Sequence, residues 1–459
     1  MDALTGKTLV ILGLARQGKA LARFAAGVGA QVVVSDLRTA DRLQTDLTEL
    51  SDLEIEYVLG EHPMSLLDKA DALAISGSVP ADAPLVTAAQ EKGVAVTNDS
   101  LEFTRRVPTA VIGITGSAGK STTTALTGVM GQMAGRPTWV GGNIGRPLIA
   151  DLHKMAAEDM VVQELSSFQL EIWDQSPHVA AVLNITPNHL DRHKTMRAYK
   201  KAKSNILRYQ SEQDIAVLAA DDPGAMSLES LVNGRLRLFS AAHEVADGAF
   251  VRGEAIWLRD GNGREEQVCQ LCEIQLRGAH NVLNVLAAVT LADSVGIEIE
   301  AMQKAIAVFT GIEHRLELVR TMNGVQYIND SIATAPERAL AALASFTEPL
   351  ILLAGGRDKD MEWAAWTGEV LKRVKHVILF GDLADMLEER LTAQPHLPGL
   401  DAFMTRVSRV ASMAEAVKMA GETAVSGDIV LLSPGGTSFD AFKDFAERGE
   451  VFRELVNNL

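Results

Sequence analysis

Lys120 and Ser121 close a run of mostly small residues, Gly113-Ile114-Thr115-Gly116-Ser117-Ala118-Gly119, and Thr122 follows them. Small residues let successive backbone N–H groups face one anion, and a helix starting there adds partial positive charge. A lysine at this point reaches terminal phosphates, and the hydroxyl beside it is placed to bind Mg²⁺. The full phosphate-loop pattern would need Gly at 114, where this chain has Ile, so the run reads as a shortened relative. Residues 109–112 before it are β-branched and apolar, as in a buried strand. After it, Leu126, Val129, Met130 and Met133 recur at helical spacing.

Other reactive side chains follow in order. Glu164 ends an apolar stretch, and a carboxylate at the end of a strand beside a phosphate loop is where a Mg²⁺ ligand is wanted. His189, Asp191 and His193 invite a zinc reading. Spacing of two on an extended loop would splay them, and no fourth ligand is near, so one His on a catalytic metal fits better. Residues 197–208 read as a basic helix with Lys200, Lys201 and Lys203, of which two belong to a solvated face. Gly141-Gly142-Asn143-Ile144-Gly145 is a glycine turn with one amide side chain, suited to a backbone-lined pocket. Asn281 and Asn284 lie one helical turn apart, where they either read a ligand together or decorate a helix.

These residues need α/β elements to hold them. Residues 7–12 read as a strand that ends in Gly13-Leu14-Ala15-Arg16-Gln17-Gly18. A helix through Leu21, Phe24 and Ala25 follows, then a strand at 31–35 and Asp36. This βαβ unit has nearly a dinucleotide-type turn, with Ala15 in place of the middle glycine. It is a poor NAD or FAD site but a reasonable one for another phosphate-bearing ligand. Arg38 beyond it either meets a base or phosphate or is a solvated loop residue. Residues 71–76 and 94–97 extend the sheet, and the pattern restarts near 100–108. Strands at 160–163 and 179–185 follow, and short runs from 215 to 276 suggest appended antiparallel strands. A third unit has a strand led by His314-Arg315 and others at 325–328, 350–353, 376–380 and 429–432. Polar, glycine-bearing turns end most of these, where open α/β sheets form ligand crevices. The predicted fold is α/β with three domains. They are a Rossmann-like domain (1–98), a central P-loop-type ATPase with appended strands (99–309) and a second Rossmann-like domain (310–459).

Length and composition agree, since 459 residues exceed one core and 47% hydrophobic with 22% charged residues is ordinary globular usage. A formal charge of −16 argues against nucleic acid and anionic membrane as partners. The opening residues 1–7 lack a signal-peptide pattern, and no apolar run approaches the ~20 residues of a membrane span. A cytoplasmic monomer is expected. Cys269 and Cys272 form a lone C-x-x-C, half of a zinc site, in a strand-like segment, and read as structural.

Taken together, these stretches resemble the Mur ligases of peptidoglycan synthesis, over essentially the whole chain and in family order. The residues that carry the resemblance are Thr115 through Thr122, Gly142-Asn143-Ile144-Gly145 and Glu164-Leu165-Ser166-Ser167-Phe168-Gln169-Leu170-Glu171. His314-Arg315, Asn329-Asp330-Ser331 and Ser438-Phe439-Asp440 with Phe442-Lys443-Asp444-Phe445 complete it. The likeness is greatest to the branch that adds D-glutamate to UDP-N-acetylmuramoyl-L-alanine. It implies an ATP-dependent amide ligation of the EC 6.3.2 type, through an acyl phosphate, with ATP, Mg²⁺, the UDP-sugar and glutamate as partners.

The resemblance also implies roles. ATP falls to Gly116, Ser117, Ala118, Gly119, Lys120, Ser121 and Thr122, with its adenosine on Asn281, Asn284, Arg315 and Asp330. The UDP-substrate falls to Ala15, Arg16, Gln17, Asp36, Arg38, Asn143 and Ser166, and the amino acid to Thr334, Lys359, Ser438 and Phe445. Of two Mg²⁺ sites, one rests on Ser121 and Glu164 and the other on His189 and a carbamylated Lys203. Lys120, Glu164, His189 and Lys203 form the catalytic set. Three positions depart from the family. Ala118 replaces an amide residue, losing a side-chain contact but no backbone donor, and Pro187-Asn188 replaces acidic residues. Ile332 stands where Lys is frequent, which leaves an L-glutamate-adding variant open. A folylpolyglutamate synthase-like ligase would not need residues 1–98. A nicotinamide-dependent oxidoreductase leaves Lys120 and Glu164 idle, and a regulatory nucleotide-binding module does not explain three crevices.

Overall fold

The computed structural model describes residues 1–359, 361–393 and 405–459. They fall into two compact units, Met1–Gln275 with Ala279–Phe309, and Leu276–Gly278 with Thr310–Leu459.

The first unit holds two sheets. Strands β1 (Thr8–Leu12), β2 (Gln31–Asp36), β3 (Ile55–Leu59), β4 (Ala72–Ile75) and β5 (Ala95–Thr97) are parallel in the order β3-β2-β1-β4-β5. The order reverses at β1, so the turn after β1 lies at the switch point where α/β sheets open a crevice. β3 is a strand the sequence reading passed over. It is an edge strand with no fully buried residue, and so carries no continuous apolar run.

The central sheet comprises β6 (Val111–Thr115), β7 (Thr138–Gly142), β8 (Met160–Glu164), β9 (Val179–Val182), β10 (Ile215–Ala219), β11 (Arg235–Ser240), β12 (Gly248–Arg252), β13 (Ala255–Arg259) and β14 (Glu265–Gln270). Its order is β14-β13-β12-β11-β10-β9-β6-β8-β7. The expectation of antiparallel strands from 215 onward holds only for its last part. β10, β11 and β12 run parallel to their neighbours, and only β12–β13 and β13–β14 are antiparallel. Helical turns at Pro223–Met226 and Glu229–Leu231 return the chain to the same sheet end before β11. The tight turn at Gly253, with φ of 60°, reverses it after β12. Cys269 is buried on β14 and Cys272 exposed beyond it, and both are free.

Both sheets share one apolar cluster. Leu9, Ile11 and Leu21 pack with Phe103, Val111, Leu148, Ile149 and Val161. The border expected at 98/99 falls on Asn98, a buried residue whose side chain caps the helix Asp99–Thr104 and donates to Gln169 O at 2.9 Å.

The second unit is a six-stranded sheet. Its strands are β15 (Glu317–Met322), β16 (Val325–Asn329), β17 (Leu350–Gly355), β18 (Val374–Phe380), β19 (Arg406–Arg409) and β20 (Ile429–Gly435), in the order β15-β16-β20-β17-β18-β19. Only β15 is antiparallel to its neighbour. His314 does not begin a strand. His314 and Leu316 have φ of 62° and 46°, so the chain turns here before β15.

Arg237 on β11 is fully buried and ties the sheet to the helix Ala279–Ser294, which carries Asn281 and Asn284. It donates to Asp247 at 2.8 Å and Asp293 at 2.6 Å. Removing Arg237 takes the buried cation from Asp293, while Asp247 keeps Arg235 at 2.6 Å. Arg237→Ala is therefore expected to cost the first unit about 3 kcal/mol in urea unfolding, the lower end for a broken buried pair. A loss below about 1 kcal/mol, the level of a surface pair, would contradict this role.

Candidate active site

β6 runs through Thr115, and the following helix opens at Lys120, so the phosphate-type loop is only Gly116 to Gly119. Gly119 has φ of 83°, and a Cβ there would lie 2.3 Å from Asn284 Oδ1, so no other residue fits without displacing that amide. Asn284 Nδ2 donates to Asn281 Oδ1 at 2.8 Å, and Thr123 Oγ1 donates to Asn284 Oδ1 at 3.4 Å. The fold thus brings the asparagine pair, 161 residues distant in sequence, onto the first turn after the loop.

Asn184, which the sequence reading did not single out, holds the loop's shape. Its carbonyl accepts from Ser117 N at 3.0 Å, its Oδ1 from Ala118 N at 2.8 Å, and its Nδ2 donates to Ala118 O at 3.1 Å. Ala118 thus retains its backbone donor, and that N–H is engaged by Asn184. The first turn of the helix beginning at Lys120 adds backbone N–H groups with no partner inside the helix. Ser117 Oγ donates to Thr186 O at 2.9 Å and lies 3.0 Å from Tyr199 Oη. Ser121 and Thr122 are half-buried on that turn.

Lys120 Nζ folds back to Gly116 O at 2.9 Å. Lys203, alone of the three lysines on its helix, is buried, with Nζ 2.8 Å from Gly116 O and 3.2 Å from Thr115 Oγ1. Burial, and then the neighbouring Lys120 charge, push Lys203 well below the usual lysine range, while Glu164 pulls it partly back. Glu164 ends β8 and is buried. Its Oε1 accepts from Asn143 Nδ2 at 2.8 Å, and its Oε2 has no hydrogen-bond partner among the described residues. A buried carboxylate oxygen without a proton donor fits a cation ligand.

Asn143 also links this cluster to the first sheet, through Arg16 Nη2 at 3.5 Å from Asn143 O. Gly142, with φ of 101°, admits the β8 backbone, since a Cβ would sit 2.4 Å from Glu164 O. Ser166 caps the next short helix in a reciprocal box with Gln169. In the β1 turn, Asp36 accepts from Leu14 N and Arg38 N, each at 2.8 Å, and Arg38 Nη2 lies 2.8 Å from it. Burial alone would raise Asp36, but the Arg38 guanidinium and the two N–H groups outweigh it and hold it at about 2. Its carboxylate is spent on shaping the turn, with Ala15 at the N-cap and Gln17 in the first turn of the helix Arg16–Gly27.

His189 and His193 part company. His189 is exposed, has φ of 53°, and meets the edge of Phe168 at 5.1 Å. His193 is buried on the Phe168 face, between Ser167 Oγ at 2.9 Å and Glu171 at 3.0 Å. The Asp191 side chain lies outside the described residues.

In the second unit, turns after β16, β17, β18 and β20 meet. Asp330 is buried, accepting from Ser433 Oγ at 2.9 Å and Leu316 N at 3.2 Å, and burial pushes it up to about 7. Arg315 is exposed beside it. Arg338 Nη1 donates to Ile332 O at 3.3 Å, so a cation stands near the position where the family often has lysine. Thr334 is half-buried, Ser438 buried, and Lys359 Nζ lies 5.2 Å from the Phe439 ring. Phe445 opens the last helix, and its carbonyl accepts from Ser331 Oγ at 2.7 Å. Arg448 was missed. It is fully buried, donates to Ser331 Oγ, Ser331 O and Gly436 O at 3.0, 2.8 and 3.1 Å, and so joins two crevice turns. Its signal was an arginine on the apolar face of that helix, alongside Phe452 and Val456.

Comparison with known proteins extends these observations. Residues 7–98 match the MurD-like N-terminal domain of Mur ligases, 114–292 the Mur ligase middle domain and 314–436 the Mur ligase glutamate ligase domain. The UDP-N-acetylmuramoylalanine–D-glutamate ligase of Symbiobacterium thermophilum is 41% identical, covering 98% of this chain and 97% of its own length. That of Clostridium tetani is 38% identical, covering 99% and 97%. Among solved structures, the UDP-N-acetylmuramate-alanine ligase of Thermotoga maritima superposes with a TM-score of 0.57 at 18% identity, over 98% of this chain and 99% of that one. At that identity the superposition speaks for the fold alone, whereas the full-length sequence matches carry the assignment. The chain belongs to the Mur ligase family.

Proposed function

We propose that this chain is an ATP-dependent ligase that joins D-glutamate to UDP-N-acetylmuramoyl-L-alanine. The observation that carries the reading is the cluster of Lys120, Lys203 and Glu164 around Gly116, at the mouth of a loop that opens a helix. Near-full-length identity to D-glutamate ligases supports this substrate pair over L-glutamate, folyl or nicotinamide chemistry. Among the described residues no helix is long and apolar enough to cross a membrane.

A carboxylate oxygen is a very poor leaving group, so the acid must be activated first. An oxygen of the L-alanine carboxylate attacks the γ-phosphorus of ATP, and the bond to the bridging oxygen breaks to release ADP. The amine of glutamate then attacks the carbonyl carbon of the acyl phosphate, loses a proton, and phosphate departs with the C–O bonding pair. Phosphoryl transfer asks for alignment and charge neutralisation rather than a protein nucleophile. Lys120 meets the β- and γ-phosphates, while Asn281, Asn284, Arg315 and Asp330 take the adenosine. Asp36 acts indirectly, by holding Leu14 and Arg38 in the diphosphate turn, with Ala15, Arg16 and Gln17 lining it. Asn143 and Ser166 meet the sugar–peptide. Thr334, Lys359, Ser438 and Phe445 receive glutamate, whose carboxylates suit a cation with hydroxyl and backbone donors.

Mg²⁺ would rest on Ser121 and Glu164, with a second ion on His189 and a carbamylated Lys203, neutralising phosphate charge. The depressed Lys203 supports this. A neutral amine attacks CO₂, loses a proton and becomes an anionic carbamate, whose charge the neighbouring Lys120 offsets.

Incubation with UDP-N-acetylmuramoyl-L-alanine, Mg-ATP and D-glutamate is expected to release phosphate and give the amide product by mass. Phosphate release that does not depend on D-glutamate would overturn the reading. Lys120→Ala and Glu164→Ala should each lower kcat by at least about a hundredfold while leaving circular dichroism unchanged, as for loss of a preorganised charge contact. Activity within a few-fold of wild type would remove the phosphate-loop assignment. Carbamylation predicts that turnover falls in CO₂-depleted buffer and returns with bicarbonate, and indifference to bicarbonate would count against it.

A further inference from the structure

Arg192 lies between two elements that the reaction must keep in register, and none of the roles above uses it. Its guanidinium donates to Gly77 O at 2.8 Å and to Val79 O at 2.7 Å. Both carbonyls belong to the loop after β4 in the first sheet. The same guanidinium lies 4.2 Å from the centre of the Phe168 ring. Phe168 in turn holds the edge of His189 at 5.1 Å and stacks on His193 at 5.2 Å. Glu171, which anchors His193, is raised by burial and by Asp82, and the opposite charge of Arg192 only partly offsets this.

The receiving loop is itself packed on the β1 turn. A Cβ on Gly13 would lie 2.4 Å from Ser76 Oγ, and one on Gly77 would lie 3.5 Å from Gln17 Oε1. One continuous series of contacts therefore runs from the Gly13–Gly18 turn through residues 76–79, Arg192 and Phe168 to His189. The end of that series has left-handed backbone, with His189 at φ 53° and Lys194 at φ 62°. Such conformations in residues other than glycine persist only where surrounding contacts hold them.

We propose that Arg192 is a positioning residue that registers the diphosphate turn of the first sheet against the His189 turn of the second. What the two turns hold rests on the ligase reading above. A planar fork reaches two carbonyls while its face covers a ring, a combination that a lysine ammonium does not supply. A UDP-substrate seated on the first turn would then present its carboxylate at a fixed distance from His189, and slack in the strap would misplace the reacting oxygen without disturbing the ATP cradle.

Arg192→Met keeps the apolar stem and removes the fork, and Arg192→Lys keeps the charge. Hydrogen exchange read by mass spectrometry on the unliganded protein is expected to rise in Arg192→Met at both 76–79 and 186–195, and to stay at the wild-type level over 120–133. Arg192→Lys should lie between. In turnover, Arg192→Met should lose on the order of tenfold to a hundredfold in kcat, the scale of a misplacement of about 1 Å. KM for the UDP-sugar should rise while KM for ATP stays near wild type. Wild-type exchange at 76–79 in Arg192→Met would overturn the strap, as would exchange that rises equally over 120–133 or a KM for ATP that rises with the other. Failure of the wild-type protein to use the UDP-sugar would instead sink the ligase reading, and the exchange comparison would still decide the strap.

Discussion

Two lysine amines converge on the carbonyl of Gly116, Lys120 at 2.9 Å and Lys203 at 2.8 Å, and Lys203 is buried. Water reaches the half-buried Lys120 but is excluded from Lys203, whose ammonium would hydrogen-bond only to neutral acceptors and lie beside a like charge. The conflict is eased by Lys203 giving up its proton more readily, with the Glu164 carboxylate as the opposing charge. Much of the first unit serves to maintain this arrangement. β6 and β8 lie side by side and deliver Gly116 and Glu164, the helix Met196–Arg208 delivers Lys203, and Asn184 fixes the loop between them.

The same economy governs the rest of the site, because polar groups that look available in the sequence are already engaged in shaping turns. Asp36 is bonded to Leu14, Arg38 and the Arg38 guanidinium, and thereby presents the turn rather than its own carboxylate. In the second unit Arg448 does this for Ser331 and Gly436, and Ser433 for Asp330. Burying a guanidinium is tolerable here because each of its donor nitrogens finds an acceptor, and the desolvation shows as Arg448 falling to about 10. Such groups fix the backbone of the turns they bond.

Ile332 stands where the family often has a lysine. The side-chain cation that the family often has there is missing, yet Arg338 from the next helix donates to the Ile332 carbonyl. A charge supplied from one turn further along the chain is invisible to motif reading at a single position. What matters to an anionic ligand is the potential in the crevice, not which residue provides it.

By itself, the sequence determined the α/β class, a phosphate-type loop within Gly113 to Thr122, the strand-end carboxylate at Glu164 and the polar turns that close most later strands. Those signals are local: hydrophobic period, glycine spacing and residue chemistry within a single element. It missed the edge strand β3, which buries little, and misjudged the direction of β10 to β12, which crossover geometry sets. Only the tertiary structure decided which groups are spent. It showed that the Ala118 N–H belongs to Asn184, that one lysine of three is desolvated, that His189 is exposed and His193 buried against the same Phe168 ring, and that Arg192 bridges two sheets. Each of these depends on what arrives from a distant part of the chain, and burial, hydrogen-bond occupancy and pKa are properties of that meeting rather than of the residue.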